Sequence, residues 1–106
     1  MKGITISGGE PLCKENIEGV TDFIKSVKEI KPNFNVWCYT GYTLEELDKR
    51  DDFLTNEALQ QIDVLVDGRY VEQQKDPTLK FRGSINQRVI DVKKYIQTKQ
   101  ITQLAI

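Results

Sequence analysis

The chain has 106 residues, 39% of them apolar and 29% charged, which is the size and balance of one ordinary soluble domain with a single core. Fifteen basic side chains against sixteen acidic leave a near-neutral surface, so neither nucleic acid nor anionic lipid is implied as a partner. Histidine is absent, which excludes a Ser-His-Asp or Cys-His catalytic pair within these residues. No apolar run reaches membrane-spanning length, and the start at Met1 lacks the zones of a signal peptide, so a cytoplasmic protein without membrane contact is expected.

The elements follow in chain order. Residues 3–7 form a short β-branched run that stops at Gly8-Gly9, the pattern of a strand entering a tight loop. After Pro11, apolar residues at Ile17, Val20, Phe23, Ile24, Val27 and Ile30 recur at three- and four-residue steps, predicting a helix from about Lys14 to Lys31 that Pro32 ends. Phe34 to Thr40 is dense in β-branched and aromatic residues and reads as a strand buried on both faces, closed by Gly41. Thr43 and Glu46 carry a capping-box spacing, so a short helix should run to about Lys49, with further helical turns over residues 56–61. Ile62 to Val66 is a third strand ending at Asp67-Gly68.

The order βαβαβ predicts parallel strands joined by right-handed crossovers, hence an α/β fold of parallel βα units with three or four strands. Beyond Arg69 the pattern loosens. Residues 72–78 are polar, 79–84 suggest an extended segment, 87–92 suggest a weak fourth strand, and 93–106 read as a loosely ordered tail. No linker divides the chain, so residues 1–106 are expected to form one domain.

In parallel βα folds ligands sit where strand carboxyl ends meet their loops. Ser7-Gly8-Gly9-Glu10-Pro11 occupies that position. Two glycines let a ligand approach the main chain, the Glu10 carboxylate suits an ammonium group, and Pro11 stiffens the loop. A tight turn followed by the first turn of a helix accounts for the same residues. A phosphate site is disfavoured, because a carboxylate rather than Lys and Ser/Thr follows the glycines. Thr40 and Gly41 end the second strand on that same face. Asp67 ends the third, either as a pocket carboxylate or as a turn residue. Cys13 and Cys38 stand too far apart to form a close-spaced ligand pair and read as small buried hydrophobes, and Trp37 and Tyr39 as core.

The run Gly3-Ile4-Thr5-Ile6-Ser7-Gly8-Gly9-Glu10-Pro11-Leu12 resembles the second strand and following loop of radical S-adenosylmethionine enzymes. Three further runs, Trp37 to Thr43, Asp63 to Tyr70 and Phe81 to Arg88, are similar in order and spacing to the anaerobic ribonucleoside-triphosphate reductase activating proteins of that superfamily. The resemblance extends to about Val92. It implies part of a radical S-adenosylmethionine-type (β/α) barrel in which Gly8, Gly9, Glu10 and Pro11, with Thr40 and Asp67, meet S-adenosylmethionine. It further implies a complete protein that carries a 4Fe-4S cluster, cleaves S-adenosylmethionine reductively and places a glycyl radical on the large subunit of the reductase.

Arg82, Asn86, Gln87 and Arg88 then belong to a family signature with a role in shaping the pocket or docking the reductase, or else to a surface loop satisfying its own backbone. Proteins of this kind hold the cluster through a Cys-x-x-x-Cys-x-x-Cys loop that is not found in this sequence. The expectation is therefore a chain that starts downstream of that loop, is inactive by itself, and self-associates through an exposed sheet edge. An activating enzyme for another glycyl-radical enzyme, and a non-catalytic interaction domain, are the competing readings.

Overall fold

A computed structural model describes residues 3–104. Four strands, β1 (Gly3–Ile6), β2 (Asn35–Tyr39), β3 (Val64–Asp67) and β4 (Arg88–Asp91), form one sheet in the order β1-β2-β3-β4. The four helices are α1 (Ile17–Ile30), α2 (Leu44–Arg50), α3 (Phe53–Gln61) and α4 (Val92–Thr98), with one 3-10 turn at Glu72–Gln74.

β1, β2 and β3 are parallel neighbours, so their carboxyl ends share one edge, as the βαβαβ order predicts. β4 departs from the expected parallel units. It pairs antiparallel with β3, Asp67 lying opposite Arg88, and the sheet is mixed. The physical reason lies in residues 68–87. They supply no crossover helix to carry the chain back along the sheet, so it re-enters beside the end it left.

All four helices contribute to one core. Ile17, Ile24, Leu44, Leu47, Ala58, Leu59 and Val92 pack with Val36, Cys38, Leu65 and Ile90 from one face of the sheet. Strand alternation turns Val64, Val66 and Val89 to the other face, where Trp37, Tyr39 and Leu104 pack against them. Phe81 reaches back to Trp37 there, ring centroids 5.0 Å apart. That second face is only partly covered: β2 alternates buried Val36 and Cys38 with half-buried Asn35, Trp37 and Tyr39, rather than being buried on both sides. β1 forms one edge of the sheet.

The Thr43 capping box closes as expected. Glu46 N–H donates to Thr43 Oγ1 at 3.1 Å, and Thr43 N–H donates to Glu46 Oε1 at 2.8 Å. α1 starts at Ile17, the first residue of its apolar stripe, rather than near Lys14 as expected, because residues 11–16 wind as successive turns in which Asn16 N–H and Ile17 N–H both donate to Cys13 O. α4 occupies part of the segment read as a loosely ordered tail. Its N-cap Asp91 accepts from Lys94 N–H at 3.0 Å, and Gln103 bridges to Ile90 beyond it. Residues 105 and 106 of that segment lie outside the described residues.

Candidate functional site

The loop after β1 turns through Gly8 and Gly9, whose φ values are +79° and +25°, a region that side-chain-bearing residues enter only with strain. No atom lies within 4 Å of the place where a Cβ would project at either position. The backbone here is therefore bare as well as bent.

Glu10 follows and acts as a clamp. Its Oε2 accepts from Thr40 Oγ1 at 2.7 Å and from Leu12 N–H at 3.0 Å, while its Oε1 accepts from Gly41 N–H at 2.7 Å. One carboxylate thus joins the loop after β1 to the end of β2, by hydrogen bonds of the charge-assisted kind. Three of about four acceptor positions are used, leaving Oε1 one lone pair beside the cleft. Thr40 Oγ1 in turn accepts from Tyr42 N–H at 3.2 Å, which fixes the turn into α2.

A cleft of about 260 Å³ opens at this shared edge. Gly9, Glu10, Pro11, Thr40 and Gly41 line one part of it, and Gly68, Tyr70, Gln87 and Tyr39 the rest. Gly8 borders a neighbouring hollow with Ser7, Gly9 and Pro11. Five of the residues that the resemblance singles out, Gly8, Gly9, Glu10, Pro11 and Thr40, therefore come together. Gln87, from the Arg82–Arg88 run that the resemblance links to the pocket or to docking, lines this cleft, whereas Tyr39 and Tyr70 were not foreseen there; an odd-numbered face of β2 that includes Tyr39 was the available signal.

Asp67 stands apart. It is fully buried, with Arg88 Nε donating to Oδ1 at 3.0 Å and Arg88 Nη2 and Leu44 N–H donating to Oδ2 at 2.6 and 2.8 Å. Its carboxylate ties β3 to β4 and to the start of α2. Arg88 also meets Glu45 at 2.6 Å, and hydrogen bonding from Arg88 holds the Glu45 carboxyl below the usual carboxylate range. Arg82, Asn86 and Gln87 satisfy backbone groups: Arg82 donates to Ile85 O and Gln87 O, Asn86 Nδ2 to Arg69 O, and Gln87 Nε2 to Gly68 O.

The residues present do not fit an iron–sulfur cluster. Such clusters take several thiolates, whereas Cys38 is fully buried and its thiol is pushed up to about 12, first by burial and then by the Glu10 carboxylate. Cys13 is half-buried in the turn after Leu12. Among the described residues no group of three or more Cys, His, Asp or Glu converges on a metal position. S-adenosylmethionine fits better, because bare glycine backbone, an acceptor with a spare lone pair and aromatic walls share one cleft.

Residues 1–90 match the family described as "4Fe-4S single cluster domain". Among curated proteins, the anaerobic ribonucleoside-triphosphate reductase-activating protein of Haemophilus influenzae is 44% identical over 86 residues, covering 81% of this chain and 53% of the relative. The protein of that name from Escherichia coli K12 is 38% identical over 88 residues (83% and 54%), and that of Enterobacteria phage T4 is 36% identical over 90 (84% and 53%). The chain spans about half the length of these relatives. No solved structure gives a significant match.

Proposed function

The chain belongs to the 4Fe-4S single cluster domain family, and from that membership we propose that it supplies the S-adenosylmethionine-binding part of an activating protein for anaerobic ribonucleoside-triphosphate reductase. The complete protein then acts as a radical S-adenosylmethionine oxidoreductase of the cytoplasm, and the three parallel strands with their helices are part of its (β/α) barrel. Reductive cleavage of S-adenosylmethionine there supplies the oxidising equivalent for a glycyl radical on the large subunit of the reductase. The names of the relatives favour this reductase over another glycyl-radical enzyme as the target.

The observation that carries the reading is the Glu10 clamp. It brings the bare Gly8-Gly9 backbone, Thr40 and Gly41 to one edge of the cleft, at the strand carboxyl ends where βα folds take ligands. Backbone carbonyls of the loop and the remaining lone pair of Glu10 would receive the ammonium of the methionine moiety. Gly41 and Gly68 line the same cleft and would offer main chain to the rest of the ligand. Thr40 orients the clamp, and the chain's residues contribute binding and orientation rather than a proton or a nucleophile. The large subunit of the reductase would then dock against this same face. Among the described residues no helix is long and apolar enough to cross a membrane.

Calorimetric titration of S-adenosylmethionine into the chain tests the reading. Saturable binding, weakened about tenfold or more by Gly9→Val, is expected, because each tenfold corresponds to about 1.4 kcal/mol of lost contact or added strain. No binding at millimolar ligand would instead favour an interaction domain in which the loop is only a turn.

A further inference from the structure

Tyr70 combines two properties that seldom coincide on a surface side chain: it is 50% exposed, yet its ring is backed on one side and its hydroxyl is tied. Its ring lies over Gly83, where a Cβ would come within 3.1 Å of Cδ1 and Cε1, so a side chain at that position would push the ring away. Its hydroxyl donates to Glu72 Oε2 at 2.8 Å. The main chain on either side is pinned as well, since Asn86 Nδ2 donates to Arg69 O at 2.7 Å and Val71 N–H donates to Ser84 Oγ at 3.2 Å.

Gln87 locks the support to the cleft. Its Oε1 accepts from Gly83 N–H and Ser84 N–H at 2.9 and 3.1 Å, and its Nε2 donates to Gly68 O at 3.0 Å. The same side chain that fixes the glycine beneath the tyrosine therefore fixes the glycine at the cleft edge. Tyr70 and Gln87 both line the cleft, with Glu10 among the residues that line the rest of it. Gly83 backs the ring from outside the cleft, which leaves the other side of the ring to the ligand.

We infer that Tyr70 is a preorganised stacking platform that receives a purine ring, and that the Arg82–Gln87 segment exists to hold it in place. The inference rests on the cleft being the S-adenosylmethionine site and goes further by assigning its nucleoside end to Tyr70. A flat aromatic face is favourable for any base, and one fixed before binding loses little conformational freedom when the ligand arrives.

The test titrates S-adenosylhomocysteine, adenosine and methionine separately into the full chain and into Tyr70→Ala, Tyr70→Phe and Gly83→Ala, with near-ultraviolet circular dichroism as the folding control. Base–aromatic stacking of ordinary strength corresponds to about tenfold in affinity. Tyr70→Ala should lose about that factor for adenosine and S-adenosylhomocysteine and nothing for methionine. Tyr70→Phe, which keeps the ring, should stay within about twofold. Gly83→Ala should behave like a weaker Tyr70→Ala. In the wild-type complex, nuclear Overhauser contacts between the Tyr70 ring and purine H2 or H8 are expected even if a variant misfolds.

If S-adenosylhomocysteine binds while Tyr70→Ala binds it equally well, or while no such contacts exist, the platform is refuted and the cleft reading survives. If the wild-type chain binds neither S-adenosylhomocysteine nor adenosine, the cleft reading fails and the platform with it.

Discussion

Replacing Arg88 with Met keeps most of the aliphatic stem but removes the guanidinium from a fully buried Asp67. Of the three donors on that carboxylate, Arg88 Nε, Arg88 Nη2 and Leu44 N–H, only the amide remains. Breaking one partner of a buried pair costs about 3–5 kcal/mol, because the other charge stays in low dielectric without compensation. The Arg88 side chain is 24% exposed, so some water can reach the gap and the lower end, about 3 kcal/mol, applies. Against a typical domain stability of about 5–15 kcal/mol that is a large fraction. With a urea slope of about 1.5 kcal/mol/M, the midpoint should fall by about 2 M. Asp67→Asn/Arg88→Met should be more stable than Arg88→Met alone, since it removes the stranded charge. A midpoint shift below about 0.5 M for Arg88→Met, or a double variant worse than the single, would refute the account of Asp67 as the brace between β3, β4 and α2.

Three further outcomes are expected. Glu10→Ala removes the acceptor of three hydrogen bonds and should cost about 2 kcal/mol, seen as a melting point lower by about 8 °C; an unchanged melting point would mean the clamp does not form in solution. Cys38, whose thiol is pushed up to about 12 in the fold, contributes stability that is present below its unfolded value near 9 and lost as pH rises from there towards 12. The stability gap between wild type and Cys38→Ala should therefore narrow in urea titrations above pH 9, and a gap independent of pH would contradict the assignment. Finally, anaerobic reconstitution with iron and sulfide should leave this chain without a cluster and without cleavage of S-adenosylmethionine, whereas iron at about one cluster per chain would mean that Cys13 and Cys38 can serve as cluster ligands after all.

The parallel half of the fold was legible because its signals are local and strong. The apolar stripe from Ile17 to Ile30, the Thr43–Glu46 box and the β-branched runs ending at Gly8, Gly41 and Gly68 each mark an element, and right-handed crossovers then leave little freedom. The direction of β4 was not legible, because composition and period do not encode it. That direction is set by Ser84, Asn86 and Gln87, whose side chains satisfy the backbone of residues 68–84 and make a clasp where a crossover helix would otherwise run. α4 was hidden by its brevity and polar surface, and its sign was the N-cap Asp91, which also ends β4.

The site divides in the same way. Gly8, Gly9 and Glu10 could be found from chain order and resemblance. That Glu10 is tied to Thr40 and Gly41, thirty residues on, follows only from the β1–β2 register. Asp67 was placed at the correct strand end, but which partner its carboxylate meets depends on Arg88 arriving antiparallel beside it.

The central claim is that the carboxyl-end cleft between β1, β2 and β3 takes S-adenosylmethionine. A nitrogen–proton correlation spectrum of the labelled chain, recorded through a titration with S-adenosylhomocysteine, tests it residue by residue. The account predicts saturable shifts concentrated at the amides of Gly8, Gly9, Gly41, Gly68 and Tyr70, with residues at the opposite end of the strands, such as Val36 and Asp63, unmoved. Shifts confined to that opposite end, or a spectrum unchanged at millimolar ligand, would contradict it.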